Sequence, residues 1–350
     1  MNDDFQRRLA AAAQLMRSGD LMQATDAIRQ ALGGVAPAPQ PARPAHGDDV
    51  IDVEARFLDE SPASGRPASG GEESFGSGHY RNEAGARDYR LFEPARDGRP
   101  LPLVVMLHGC TQDPDDFARG TRMNAIARAQ GALVLYPAQS QRANAQRCWS
   151  WFKHNHQARG RGEPAILAGM VQQVIATHDV DPRRVYVAGL SAGGAMAAIL
   201  GDAYPGLFAA VGVHSGLPTG SANDVQSAFA AMKGGGPPAR RARAGGPTPP
   251  TIVFHGDADP TVHVVNGERV LEAAGMSAGP GVARAATAQG VRYTRRDWVD
   301  GEGGARGEQW TIHGAGHAWS GGDPSGSYTD PRGPDASAEM LRFFLAHPKD

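Results

Sequence analysis

Ser191 has the sequence setting that a nucleophilic serine requires. A serine hydroxyl attacks a carbonyl carbon poorly near neutral pH unless a base takes its proton and an acid orients that base. The stretch Val185-Tyr-Val-Ala-Gly189-Leu-Ser191-Ala-Gly193-Gly-Ala-Met196 passes from an apolar, β-branched run through Gly-x-Ser-x-Gly into an Ala-rich helix former. It reads as strand, sharp turn, helix. Such an elbow lifts the hydroxyl above a sheet, and glycines at 189 and 193 lack the Cβ atoms that would collide where strand and helix cross. The helix N-terminus behind the serine favours developing negative charge. In a chain with 46 glycines the five-residue pattern recurs by chance, so the flanking strand and helix carry the reading.

Two downstream stretches supply base and acid. Thr251-Ile-Val-Phe-His255-Gly-Asp257-Ala-Asp259-Pro-Thr-Val262 is a strand running into an acidic turn, and His313-Gly-Ala-Gly-His317-Ala-Trp319-Ser is a Gly-rich loop after a strand over Gln309–His313. His317 is expected to be the base, with His313, inside the strand, as the structural alternative. Asp259 is expected to be the acid; Asp257 directly follows the strand-ending glycine and can form the turn. The chain order Ser, Asp, His suits a nucleophile on a strand-to-helix elbow. The tetrahedral oxyanion needs backbone N–H donors, one after the nucleophile and one from the loop after an early strand. Ala192 supplies the first, and Cys110 in Leu107-His-Gly-Cys110-Thr-Gln112 the second.

These residues need a sheet whose strands end on one side. Candidate strands are Asp88–Phe92, Leu103–Leu107, Ala132–Tyr136, Val185–Ala188, Ala209–Val213, Thr251–His255 and Gln309–His313. Near-continuous apolar runs suit strands buried on both faces of a parallel sheet. Helix-like segments near 117–130, 164–178, 192–204, 266–274 and 336–346 alternate with them, predicting a doubly wound α/β domain over residues 76–350. Residues 220–250 interrupt the alternation with a short helical Val225–Lys233 and a Gly/Pro/Arg-rich run, expected to be a mobile excursion near the site.

Ahead of this domain, residues 1–33 carry apolar positions at three- and four-residue spacing around Gly19-Asp20, which predicts a helical hairpin. Its apolar stripe suits self-association or packing on a partner surface. Residues 34–75 are rich in Pro, Ala, Gly, Ser and acid, a disordered linker by composition, with one apolar-acidic island at Val50–Leu58.

At 350 residues, 41% hydrophobic and 21% charged, the chain can bury one sizeable core. A net charge of -2 gives no reason to expect nucleic acid or an anionic membrane as partner. No run approaches the about 18 apolar residues of a membrane span. The acidic N-terminus Met1-Asn-Asp-Asp lacks a continuous apolar segment, so a chain starting there is expected to be cytoplasmic. No Cys/His cluster has zinc spacing; His154-Asn-His156 reads as a solvated loop. No cofactor or metal is expected.

His108-Gly-Cys-Thr-Gln112, Cys148-Trp-Ser-Trp-Phe152, Gly189-Leu-Ser191-Ala-Gly193, His255-Gly-Asp-Ala-Asp259-Pro-Thr-Val262 and Gly316-His317-Ala-Trp-Ser-Gly-Gly322 occur in order. Together they resemble the poly(3-hydroxybutyrate) (PHB) depolymerase family of esterases, over roughly residues 75–348. The resemblance implies an α/β-hydrolase fold and a serine esterase, a carboxylic ester hydrolase acting on hydroxyalkanoate esters. It implies Ser191, Asp259 and His317 as the triad. Relatives acting on feruloyl and acetyl esters of plant polysaccharide make a feruloyl, acetylxylan or small-ester carboxylesterase the alternative. A granule-surface protein with secondary hydrolase activity is a further one, motivated by the hairpin. Secreted family members make an extracellular location the alternative to the cytoplasm.

A bridge between Cys110 and Cys148 would fix the Trp-rich loop beside the nucleophile; the competing reading is two small buried thiols. Trp149, Trp151 and Trp319 flank the site in sequence, and one or two of them, Trp149 and Trp319 foremost, are expected to face an apolar or phenolic substrate. Gln112 is expected to assist the oxyanion or hydrogen-bond an ester.

Overall fold

Every position from Leu101 to Leu107 is buried, because this strand lies at the middle of a large sheet. The computed structural model describes residues 71–96, 98–235, 248–279 and 284–349. The helical hairpin, most of the linker and the Arg-rich part of the 220–250 excursion fall outside the described residues.

The strands are β1 (Ser74–Asn82), β2 (Gly85–Glu93), β3 (Leu101–Leu107), β4 (Leu133–Pro137), β5 (Val180–Leu190), β6 (Ala210–His214), β7 (Thr251–Gly256), β8 (Ser277–Ala278), β9 (Arg284–Ala288), β10 (Val291–Val299) and β11 (Ala305–Ile312). They form one sheet in the order β1-β2-β4-β3-β5-β6-β7-β11-β10-β8, with β9 on β10. The central strands β4, β3, β5, β6, β7 and β11 run parallel. Both margins are antiparallel, through β1–β2–β4 and β8/β9–β10–β11. All seven strands expected from the apolar runs are present. The strands not expected are β1, β8, β9 and β10: β1 and β10 have half-exposed, mixed patterns rather than apolar runs, since each pairs near an edge. The expected domain start at residue 76 falls inside β1, so the linker ends earlier than its composition indicated.

The helices are α1 (Pro114–Thr121), α2 (Met123–Gln130), α3 (Gly162–Thr177), α4 (Ala192–Ala203), α5 (Val225–Met232), α6 (Val265–Ala273) and α7 (Ala336–Leu345). The single helix expected near 117–130 is broken in two by Arg122, whose φ of 54° is left-handed. Alternating residues of β3 and β5 separate the two cores. Leu103, Val105, Leu107, Val185 and Val187 face α3 and α4. Val104, Met106, Tyr186 and Ala188 face α2 and α7. Period-two alternation with both faces apolar is why these strands read as continuous apolar runs. Within the 220–250 segment, α5 starts on a capping box between Asp224 and Ser227. Among the described residues, no helix is long and apolar enough to cross a membrane.

Candidate active site

Ser191 lies between β5 and α4 with φ 57° and ψ −118°, a backbone conformation that a side-chain-bearing residue adopts at a cost of about 1–3 kcal/mol. The surroundings hold it there. Its amide donates to the His214 carbonyl at 2.9 Å, and its carbonyl accepts the Ala195 amide at 2.9 Å. A Cβ on Gly193 would stand 2.0 Å from the Leu107 carbonyl oxygen, and one on Gly189 2.4 Å from Gly193. The two glycines therefore let α4 start directly against the end of β3.

Asp259 and His317 meet from two different loops. His317 Nδ1 lies 2.7 Å from Asp259 Oδ2, and the Asp259 side chain is fully buried. The other carboxylate oxygen accepts the Thr261 and Val262 amides at 2.8 and 2.9 Å, so the same side chain shapes its turn and orients the imidazole. Burial by itself would raise the Asp259 pKa; the His317 hydrogen bond and charge and the two amides outweigh it and hold the group below the usual carboxylate range. Gly256 allows the loops to touch, since a Cβ there would be 2.3 Å from the Ala315 carbonyl oxygen. Among the described residues, no hydrogen bond joins the Ser191 hydroxyl to His317.

The loop after β3 is braced from several directions. His108 Nδ1 donates to the Gly109 carbonyl at 2.7 Å, while its Nε2 accepts the Gln139 amide at 3.1 Å. Burial keeps this ring neutral, its pKa pushed down to about 4. The Gly109 amide donates to Gln112 Oε1, the Thr111 amide to Gln146 and the Gln112 amide to Gly109. The Cys110 amide donates to no described residue, and neither does that of Ala192 at the first position of α4. The Cys110 amide is unused between two used neighbours, Gly109 and Thr111, and the Ala192 amide belongs to the open first turn of α4; such free amides are what an oxyanion requires.

Cys110 and Cys148 form a disulfide, which ties this loop to the Trp-rich stretch. That stretch faces inward. Trp149 is 0% exposed and donates through Nε1 to the His108 carbonyl at 3.1 Å. Trp319 is 1% exposed, donates to Ser337 Oγ at 3.0 Å and packs edge-on against Phe117. Trp151 is 6% exposed. The expectation that Trp149 or Trp319 faces substrate is corrected: each indole finds a buried acceptor, so its whole ring goes into the core. Gln112 is corrected likewise. Its Oε1 holds the Gly109 amide, its Nε2 bonds Asp116 and Ser327, and at 2% exposure it braces the loop instead of meeting an ester.

One positioning residue escaped the sequence reading. His214, the last residue of β6, is fully buried; its carbonyl accepts the Ser191 amide and its Nε2 accepts the Ser320 amide at 3.1 Å. The ring stacks on Trp319 and Phe254. It therefore connects the serine elbow to the loop carrying His317. Burial lowers its pKa to about 3, so it stays neutral with the proton on Nδ1, toward Ser215. A histidine closing an otherwise apolar strand, level with the nucleophile, was the available signal.

A central parallel sheet flanked by helices, with a serine at a strand-to-helix elbow on its carboxyl edge and an aspartate–histidine pair on later loops, is the α/β-hydrolase fold. The solved structure of an acetyl xylan esterase from Aspergillus awamori shares this fold, with a TM-score of 0.54 and 18% identity over 74% of this chain and 94% of that one. Residues 88–242 match the family model described as esterase PHB depolymerase. Poly(3-hydroxyalkanoate) depolymerase C of Paucimonas lemoignei is 35% identical over 195 residues, 52% of this chain and 47% of that protein. A probable acetylxylan esterase A of Aspergillus fumigatus is 30% identical over 213 residues, 55% of this chain and 54% of that protein. The chain spans about half the length of these curated relatives.

Proposed function

We propose that this protein is a serine esterase that hydrolyses ester bonds of poly(3-hydroxybutyrate) or its oligomers through an acyl-enzyme. Ser191 Oγ attacks the ester carbonyl carbon as His317 Nε2 takes its proton. Asp259 orients the imidazole through Nδ1 and stabilises the imidazolium that forms. The Cys110 and Ala192 amides receive the negative charge on the former carbonyl oxygen. Collapse of the tetrahedral species breaks the bond to the alcohol, which leaves with the proton from His317. Water, deprotonated by the same imidazole, then attacks the acyl-serine and releases the acid and free Ser191. The chemistry runs on protein groups alone.

The observation that carries this reading is the 2.7 Å contact between buried Asp259 and His317, in a loop that His214 joins to the serine elbow through the Ser191 and Ser320 amides. The polyester substrate is supported by the family match and by the depolymerase named among the relatives. A second reading, an acetylxylan, feruloyl or small-ester esterase, is favoured by relatives that carry acetylxylan and feruloyl esterase names. The test is hydrolysis of p-nitrophenyl butyrate and of amorphous poly(3-hydroxybutyrate) by the wild type and by Ser191→Ala. Cleavage of both by the wild type and of neither by the variant is expected. Cleavage of the small ester alone moves the substrate to the second reading, and full activity in the variant removes Ser191 from the mechanism.

A further inference from the structure

With Trp149, Trp151 and Trp319 all buried, the face that a substrate approaches has to be built from something else. Among the described residues the exposed large hydrophobic side chains are Val225 and Phe229 on α5, and Tyr328. Tyr328 is the one joined to both halves of the candidate site. Its hydroxyl lies 3.2 Å from Thr111 Oγ1, the residue after the unused Cys110 amide. Its carbonyl accepts the Trp319 amide at 2.7 Å, in the loop that carries His317.

The segment bearing Tyr328 is held firmly. Ser327 donates through its amide to Asp116 Oδ1 at 3.0 Å and accepts from Gln112 Nε2 at its carbonyl. Trp319–Ser320 pairs in parallel with Thr329–Asp330. A Cβ on Gly326 would stand 2.3 Å from the Gly120 Cα, so the strap lies directly on α1. Tyr328 itself has φ 52°, a left-handed conformation that favours glycine. A large aromatic residue is thus kept in a strained backbone with 47% of its surface exposed, across the gap between oxyanion loop and base loop. Ordinary packing gives no return for that arrangement; a ring offered to a ligand does.

We propose that the Tyr328 ring is the aromatic surface that contacts the extended chain of an ester substrate and sets the preference for oligomeric over short acyl esters. This rests on the polyester-esterase reading above. A flat ring covers repeating methyl-bearing ester units without needing a charged partner, and the strap's backbone bonds hold it in place whether or not its hydroxyl meets Thr111.

The test compares a soluble 3-hydroxybutyrate trimer with p-nitrophenyl acetate, using wild type, Tyr328→Ala, Tyr328→Gly and Tyr328→Phe. Glycine removes the ring and also relieves the left-handed backbone, so a folding defect confined to alanine is recognised. Loss of the ring in either variant is expected to raise KM for the trimer about tenfold and to lower the trimer-to-acetate ratio of kcat/KM by a similar factor. Phenylalanine, which keeps the ring, is expected to hold that ratio within about twofold of wild type. An unchanged trimer KM in both ring-less variants overturns the proposal, as does a phenylalanine variant that loses as much as glycine, since the hydroxyl would then be the working group. A wild type that cleaves p-nitrophenyl acetate but not the trimer overturns the polyester reading and this inference with it. A wild type that cleaves neither overturns the esterase reading itself.

Discussion

The loops after β7 and β11 hold two His–Asp pairs, and the two differ in everything except the contact itself. Asp257 and His313 approach to 2.8 Å, and Asp259 and His317 to 2.7 Å. In the first pair both side chains are about a third exposed; in the second they are 0% and 11% exposed. The far nitrogen of His313 is occupied by Thr294 Oγ1 at 2.8 Å, and Asp257 also accepts the Gly314 amide at 2.7 Å. His317 Nε2 meets no such partner among the described residues. The first pair is a clasp that fastens the start of the base loop to the sheet. The second is an imidazole with a buried acid behind it and a nitrogen left for other chemistry. A short His–Asp distance therefore does not by itself mark a base; the proposed mechanism asks in addition for a buried carboxylate and a free second nitrogen, and of the two pairs the second has both.

Substitution separates the pairs most sharply. Ser191→Ala and His317→Ala are expected to lower kcat by about 10⁴–10⁶, measured on a p-nitrophenyl ester. His313→Ala is expected to stay within about threefold, as a clasp at a partly exposed position; a drop matching that of His317→Ala would break the comparison. Asp259→Asn, which keeps the shape but changes what Nδ1 can donate to, is expected to cost about 10⁴ in kcat. Asp257→Asn should act on thermal stability more than on rate.

A smaller effect is expected where the oxyanion loop is tied down. Reducing Cys110–Cys148, or Cys148→Ser, is expected to cost about 2–4 kcal/mol of stability and to lower kcat more than it raises KM, because the Cys110 amide loses its anchor. Melting curves and steady-state kinetics with and without reductant measure both. Equal behaviour under the two conditions would leave the loop held by His108 and Gln112 alone.

Per residue, the effect of acid on each of the two buried neutral histidines is at the lower end of that range. His108 and His214 have pKa values pushed down to about 4 and about 3 in the folded protein, from 6.5. The unfolded chain then binds more protons below pH 6.5, so the stability present above that pH is lost as pH falls toward the folded values. By pH 5 each histidine is expected to have cost about 2 kcal/mol. His214→Phe should flatten its share of that slope in denaturant titrations at pH 7 and pH 5. Because His214 also positions the His317 loop through Ser320, the same variant is expected to lower kcat with little change in KM, and His214→Gln, which keeps an acceptor, to recover part of it. A slope identical to wild type would remove His214 as a titrating group.

Much of the fold is legible in the sequence. Leu103–Leu107, Val185–Ala188 and Thr251–His255 announce central parallel strands because burial on both faces demands unbroken apolar runs. Gly189, Ser191 and Gly193 announce the elbow because the crossing of strand and helix leaves no room for Cβ atoms. The sequence favours Asp259 and His317 over Asp257 and His313 on local grounds; in the structure Asp259 is buried against His317, and His313 bonds Thr294 and Asp257. The margins of the sheet and the break at Arg122 were not legible, since half-exposed strands and a single left-handed residue leave no periodic signal.

The sequence by itself determined which residue types could perform nucleophilic chemistry, their order along the chain and the sheet that carries them, because these follow from local pattern and backbone sterics. Tertiary structure alone decided which way the side chains face. Three tryptophans beside the site in sequence point into the core because their surroundings are buried and the indole N–H groups of Trp149 and Trp319 find acceptors there. Gln112 turns inward because the loop it braces needs it, and His214 enters the site because β6 ends level with Ser191. Tyr328, outside every quoted motif, is joined to Thr111 through its hydroxyl and to Trp319 through its carbonyl, while its neighbour Ser327 bonds Asp116. Facing and long-range juxtaposition depend on which partners the folded chain brings together, and that information is not local.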